Sequence, residues 1–71
     1  MSTPDFNSLP AADQLAALQI AHETYEGGTV ADHLADTFLA LGIWSDAATL
    51  RKLARDLAPV YRLRRAILAA E

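Results

Sequence analysis

The residues of this chain best suited to binding chemistry are its bases, and all six Lys and Arg residues lie between residues 51 and 65. Arginine presents a planar fork of N–H donors that suits bidentate contacts to carboxylate or phosphate. Four arginines follow the spacing i, i+4, i+11, i+14, which places them on one face if the bend at Pro59 is gentle. We call this set the arginine face; it consists of Arg51, Arg55, Arg62 and Arg65, and Lys52 and Arg64 flank it.

The charges of the chain are divided between its two ends. Residues 1–50 carry seven acids and no Lys or Arg, whereas the last 21 residues carry six bases against Asp56 and Glu71, and the net charge is −3. One interpretation is that the arginines solvate the outside of a bundle and pair with acids such as Glu23, Asp32 and Asp36. The other is that they contact a partner, either an acidic protein surface or nucleic acid. A pI near 5.1 gives no general attraction to a polyanion.

Other chemistry has little support in the sequence. His22-Glu23 begins like the helix of a zinc protease, but Glu26 stands where the second histidine would be. A site that joins His22 to His33 is conceivable, yet no spacing requires it. The chain has no cysteine, no glycine-rich phosphate loop and no Gly-x-Ser-x-Gly motif. We therefore predict that the protein is not an enzyme, with no catalytic, cofactor-binding or metal-binding residue.

Apolar residues are expected to supply contact area beside the arginine face. A hydrophobic fraction of 52% is high for 71 residues, and some apolar surface should remain exposed for a partner helix or a second copy. Trp44, which follows Gly42 in a turn, either packs inward as a plug or stands out as an interface anchor. Tyr61 and Leu68 are further candidates. The predicted partner-binding residues are Arg51, Lys52, Arg55, Arg62, Arg65, Trp44 and Tyr61.

Four helices are predicted to position these residues, near 9–26, 30–41, 46–57 and 59–70. Gly27-Gly28 and Gly42 should end the first two helices, because glycine readily adopts the left-handed conformation that closes helix ends. Ser45 is predicted to cap the third helix. The predicted apolar stripes of the first two helices are Ala11, Leu15, Leu18, His22 and Tyr25, and Val30, Leu34, Phe38 and Leu41. The apolar stripes before and after Pro59 are offset by about a quarter turn. One straight helix would put Arg64 in the middle of the apolar face, so we predict a break at Ala58-Pro59.

These elements predict an all-α fold, a compact bundle of three to four short antiparallel helices with the last two articulated at Pro59. No segment alternates like a β-strand. Residues 1–8 are expected to form a flexible N-terminal arm, in which Phe6 is a weak candidate anchor, and residues 9–71 a single helical domain. Because a core this small rarely suffices alone, regular helix packing or oligomerisation should support it.

The function predicted from this pattern is a small non-enzymatic binding protein, a regulator, adaptor or inhibitor that contacts an acidic surface of a larger protein. One alternative is a DNA-binding regulator, because residues 30–57 have the outline of a helix-turn-helix with Gly42-Ile43 as the turn. Another is a self-assembling subunit whose acidic half docks on a neighbour's basic half. No secretory signal or apolar run long enough for a membrane is evident. We expect a cytoplasmic accessory protein of bacteria or their viruses, with no membrane partner.

Overall fold

The computed structural model describes residues 3–70, and this part of the chain is helical apart from its connections. One isolated bridge joins Asp5 to Trp44, and no strand is present between residues 3 and 70. The prediction of an all-α fold is confirmed. The dimensions are 44 × 20 × 19 Å. The elements are a 3-10 turn at Phe6–Ser8 followed by helices α1 (Ala11–Thr24), α2 (Val30–Ala40) and α3 (Ala47–Ala70).

Helix α2 forms the centre of the fold and packs against both α1 and α3. Its buried residues Val30, Leu34 and Phe38 recur at i, i+4, i+8, as the sequence predicted. Glycine at 42 ends this helix with a φ of 73°, and the N–H of Ile43 donates to the carbonyl oxygen of Phe38 at 2.8 Å. This bond satisfies one of the free carbonyls at the helix end.

Helix α1 faces the core with a side that only partly overlaps the predicted stripe, since Tyr25 is buried as predicted and Leu18 packs against the core. Its buried residues are Ala17 and Ala21, whereas Leu15, which belonged to the predicted apolar stripe, is 67% exposed. Ala17 and Ala21 are 3% and 0% exposed, and Tyr25 just beyond the helix, 5% exposed, adds a large side chain to the same core cluster. The small residues therefore mark the packed side of α1, and Leu15 is left on the surface.

The predicted break at Pro59 is not present, because α3 is one helix of 24 residues that contains this proline. Proline lacks the N–H that would donate to the carbonyl of residue 55, so one helical hydrogen bond is missing there. Arg64 resolves the conflict that motivated the break. It is half-buried, and its Nη1 lies 3.4 Å from the carbonyl oxygen of His22 and 3.3 Å from that of Glu23. A guanidinium can lie on the inner side of α3 because the last turn of α1 offers it free carbonyls.

The N-terminal segment belongs to the core from Phe6 onward, although the sequence placed it in an arm outside the helical domain. Phe6 is 4% exposed, and its ring stacks on Phe38 with centroids 4.9 Å apart. Two backbone hydrogen bonds of 2.8 Å hold the segment, from Phe6 N–H to the carbonyl of Trp44 and from Trp44 N–H to the carbonyl of Pro4. Phe6 is therefore not an anchor for a partner. Met1 and Ser2 of the predicted arm lie outside the described residues.

Candidate functional site

The arginine face is exposed along one side of α3. All four of its residues are exposed, and so is Lys52. Because the helix continues through Pro59, the four arginines keep a common register and lie within about 80° of one another around its axis. The last of them lies fourteen positions after the first, a rise of about 21 Å along the helix. The face is thus a straight row of cationic side chains on one rigid element.

The acids of the amino-terminal half do not pair with this row. Among residues 3–70, the only ion pair joins Arg55 Nε to Asp56 Oδ1 at 3.9 Å, and the two side chains are 77% and 58% exposed. Such an exposed pair is screened by solvent and contributes little. Arg65 donates through Nε to a backbone carbonyl, that of Glu26, at 3.1 Å. The expected pairing of arginines with Glu23, Asp32 or Asp36 is absent from the described part of the chain.

Tyr61 lies in the core, which corrects its assignment to the partner-binding residues. It is 2% exposed, and its hydroxyl donates to the carbonyl oxygen of Leu18 at 2.9 Å. Its ring stacks on His22 with centroids 5.0 Å apart, and burial raises the pKa of the phenol. The sequence misassigned Tyr61 because the predicted break at Pro59 reset the register of the helix that follows.

Trp44 has a fixed backbone and an accessible side chain. Its N–H and carbonyl are bonded to the N-terminal segment, while the residue is 54% exposed. The indole lines an open groove of about 270 Å³ together with Leu39 and Asp36. The sequence left two interpretations open, plug and anchor. The backbone of this residue closes the turn, and its side chain remains available for contact.

Sequence reasoning missed an exposed aliphatic surface on the carboxyl-terminal half of α3. Val60, Leu63 and Ile67 are 49%, 62% and 53% exposed, and their spacing i, i+3, i+7 places them together. We call these three residues the aliphatic stripe. Val60 also lines a groove of about 350 Å³ together with Leu15 and Leu18 of α1. The sequence analysis assigned these residues to the apolar face of a separate fourth helix. The seven-residue interval from Val60 to Ile67 is the feature of the sequence that could have indicated a surface for helix pairing.

The two histidines differ in the hydrogen bonding of their Nε2 atoms. His33 Nε2 lies 2.8 Å from the carbonyl oxygen of Ala21, and because a carbonyl only accepts, Nε2 carries the proton. The Nε2 of His22 is shielded from solvent and has no hydrogen-bond partner among the described residues. No group of three or more His, Asp or Glu side chains within residues 3–70 has the arrangement of a metal site.

Asp46 places a negative charge at the start of α3. Its carboxylate accepts from the Thr49 hydroxyl at 2.5 Å and from the Thr49 N–H at 3.2 Å, so Asp46 caps the helix, not Ser45 as predicted. These bonds lower the pKa of the carboxyl, the hydroxyl of Thr49 most and its N–H next. The carboxylate is therefore ionised at neutral pH at the amino-terminal end of the helix that carries the arginine face.

Comparisons with known proteins assign the chain to no family. No protein-family model, curated protein or solved structure matches it. The chemistry of its side chains is therefore what supports a function. Among residues 3–70, no helix combines the length and apolar character needed to cross a bilayer.

Proposed function

We propose that this chain is a small non-enzymatic binding protein, a regulator, adaptor or inhibitor that contacts an acidic surface of a larger protein through its arginine face. The observation that carries the proposal is that the arginine face is exposed in one row while no carboxylate of residues 3–50 lies within 4.0 Å of it. Arginine is weakly hydrated and pairs bidentately with carboxylates, so an exposed row of guanidinium groups that are not paired with these acids favours an acidic partner.

The rigidity of α3 supports this role. Because the arginines lie on one helix, the backbone loses little conformational entropy when the protein binds. The row is about 21 Å long, which allows contact with a series of Asp and Glu residues along its length. The seven acids of residues 1–50 repel the same partner surface. The charge division therefore orients the encounter and directs the basic side toward the partner. Trp44 and Leu68, 54% and 43% exposed, offer apolar contact area.

A DNA-binding helix-turn-helix is less well supported. The connection between α2 and α3 spans residues 41–46, six residues, whereas the motif joins its helices by a turn of about three or four. The ionised Asp46 stands at the amino-terminal end of what would be the reading helix and would repel phosphate. The net charge of −3 opposes approach to a polyanion. A titration against duplex DNA at two salt concentrations would reveal this function as a salt-dependent complex; we expect none.

Head-to-tail self-assembly through opposite charges is the other alternative. Within residues 3–70 the acids of the amino-terminal half form no ion pair with the arginine face, so the acids of one copy are available to the arginine face of a neighbouring copy. Its signature is a mass that rises with concentration and falls as salt is added, because screening weakens contacts between exposed charges. Light scattering at low and high salt measures this directly.

The proposal is tested by capture of partners from the native host at moderate salt. The wild type is compared with Arg51→Glu/Arg55→Glu, and with Ala11→Glu/Ala16→Glu as a control that adds acids at two exposed positions of α1. The arginine variant should retain about a tenth or less of the captured protein, because reversal replaces attraction by repulsion, and the control should retain most of it. Equal capture by all three chains would remove the proposal, as would a captured fraction that nuclease abolishes.

A further inference from the structure

We propose that the aliphatic stripe is a self-association surface, occupied by α3 of a second copy of this chain in an antiparallel arrangement centred on Val60. The stripe belongs to a longer repeat. Leu53, Val60 and Ile67 lie seven residues apart, and Leu63 stands three residues after Val60. Apolar residues at alternating intervals of three and four form the seam along which helices pair, and here Asp56 occupies the position three residues after Leu53. The repeat is continuous only because α3 runs unbroken through Pro59.

The end of α3 extends beyond the helices that could cover it. At 1.5 Å per residue α3 is about 36 Å long, against about 21 Å for α1 and about 17 Å for α2. Residues 65–70 are all exposed, and the molecule measures 44 Å in one direction but only 20 and 19 Å in the others. A projecting helix with aliphatic residues on one side leaves apolar area in water, and a second copy removes it on both chains at once.

Charge selects the antiparallel orientation. Asp56 lies on the same side of α3 as the stripe, about 40° from Val60 around the axis. A parallel pair would bring Asp56 against Asp56 of the second copy. An antiparallel pair about Val60 sets Asp56 level with Arg64 of the second copy, whose Nη1 already contacts α1 carbonyls while other guanidinium N–H groups remain to donate. It also sets Ile67 level with Leu53 of the second copy and Leu63 level with its Leu57, two residues that are half-buried against the core of their own chain.

The stripe and the arginine face are on different sides of α3. Their centres are about 150° apart around the helix axis. Pairing through the stripe therefore leaves both arginine faces outward, and a dimer would present two of them to a partner. This inference does not depend on the proposed function, since either surface can be changed without the other.

The first test is the molar mass of the full chain across a concentration series up to about 1 mM, in low and high salt. The wild type should approach twice its 7.7 kDa, with no dissociation in high salt, since apolar contacts are not screened. Leu63→Glu should remain monomeric, and Ile67→Glu should do the same. Leu39→Glu, at a position of α2 that is 79% exposed, should behave as the wild type. Circular dichroism verifies that each variant is folded. A monomeric wild type, or dimers that Leu63→Glu leaves unchanged, would overturn the inference.

The second test exploits the absence of cysteine in the chain. A chain with Leu53→Cys is mixed with one carrying Ile67→Cys under mild oxidation, and each is also oxidised alone. The mixture should form a disulfide-linked heterodimer, while each single variant stays largely unlinked, because antiparallel pairing brings position 53 near position 67. Cross-linking of each variant to itself would indicate parallel helices and refute the arrangement. No cross-link in the mixture would refute it as well.

Discussion

Truncation of the Phe6 side chain should destabilise the protein far more than truncation of a side chain in a flexible arm would. The ring is 4% exposed and stacks on Phe38. Truncation of a buried phenylalanine to alanine costs about 3–5 kcal/mol, and we expect Phe6→Ala near the lower end because the segment is close to a terminus. A domain of 71 residues has a free energy of unfolding of about 4–11 kcal/mol. The variant should therefore lose a large part of its stability.

Urea unfolding at a fixed chain concentration measures this loss, because self-association would make stability depend on concentration. Helicity and the fluorescence of Trp44 should change together, since Trp44 is the only tryptophan and is bonded to the segment that carries Phe6. Phe6→Leu keeps most of the volume and should cost about 1 kcal/mol. Leu39→Ala, at a surface position, should stay within about 0.5 kcal/mol of the wild type. A loss below about 1 kcal/mol for Phe6→Ala would refute the assignment of Phe6 to the core.

Three further substitutions test contacts that the structure assigns. Asp46 has a lowered pKa in the folded protein, so the stability it contributes is present above the ordinary pKa of 3.8 and is lost as pH falls through the folded pKa. Asp46→Asn should keep the helix cap at pH 7, and its melting temperature should fall less in acid than that of the wild type. The pKa of Tyr61 is raised, so the stability it contributes is fully present below pH 10.0 and is lost as pH rises through the folded pKa. Tyr61→Phe should lower the free energy of unfolding by about 1 kcal/mol at neutral pH, because the hydrogen bond to Leu18 is lost, and this variant should lose less stability than the wild type between pH 9 and 11. His22→Phe should raise the free energy of unfolding, measured by urea denaturation, by about 1 kcal/mol, because it removes a shielded nitrogen without a partner and keeps a ring on Tyr61. A destabilised variant would mean that Nε2 is hydrogen-bonded in solution.

Features set by local sequence were predictable. The apolar spacing of α2 identified Val30, Leu34 and Phe38 as core, and glycine at 42 marked the end of that helix. Both signals act within a few residues, through the helical period and through a backbone conformation that glycine adopts without strain. The arginine spacing was equally local, and the continuous α3 keeps it in one register.

Features set by distant contacts were not predictable. Ala17 and Ala21 face the core although hydrophobicity favours Leu15 for a buried position, because the packing of α2 against α1 decides which side of α1 is buried. The side chain of Arg64 fits on the inner side of an unbroken α3 because it contacts carbonyl oxygens 42 and 41 residues away in the chain. A proline read in isolation predicts a break, because its missing N–H is visible in the sequence and the compensating packing is not. The errors at Tyr61 and at the aliphatic stripe follow from that one error.

The role of the arginine face is tested most directly by site-specific photocross-linking in the native host. A photoreactive residue placed at position 55 or 62 samples this face, while one at position 16 samples an exposed part of α1. We expect positions 55 and 62 to cross-link to one larger protein that has acidic segments, and position 16 not to cross-link to it. Cross-links to that protein from position 16 alone, or cross-links from the arginine face to nucleic acid only, would contradict it.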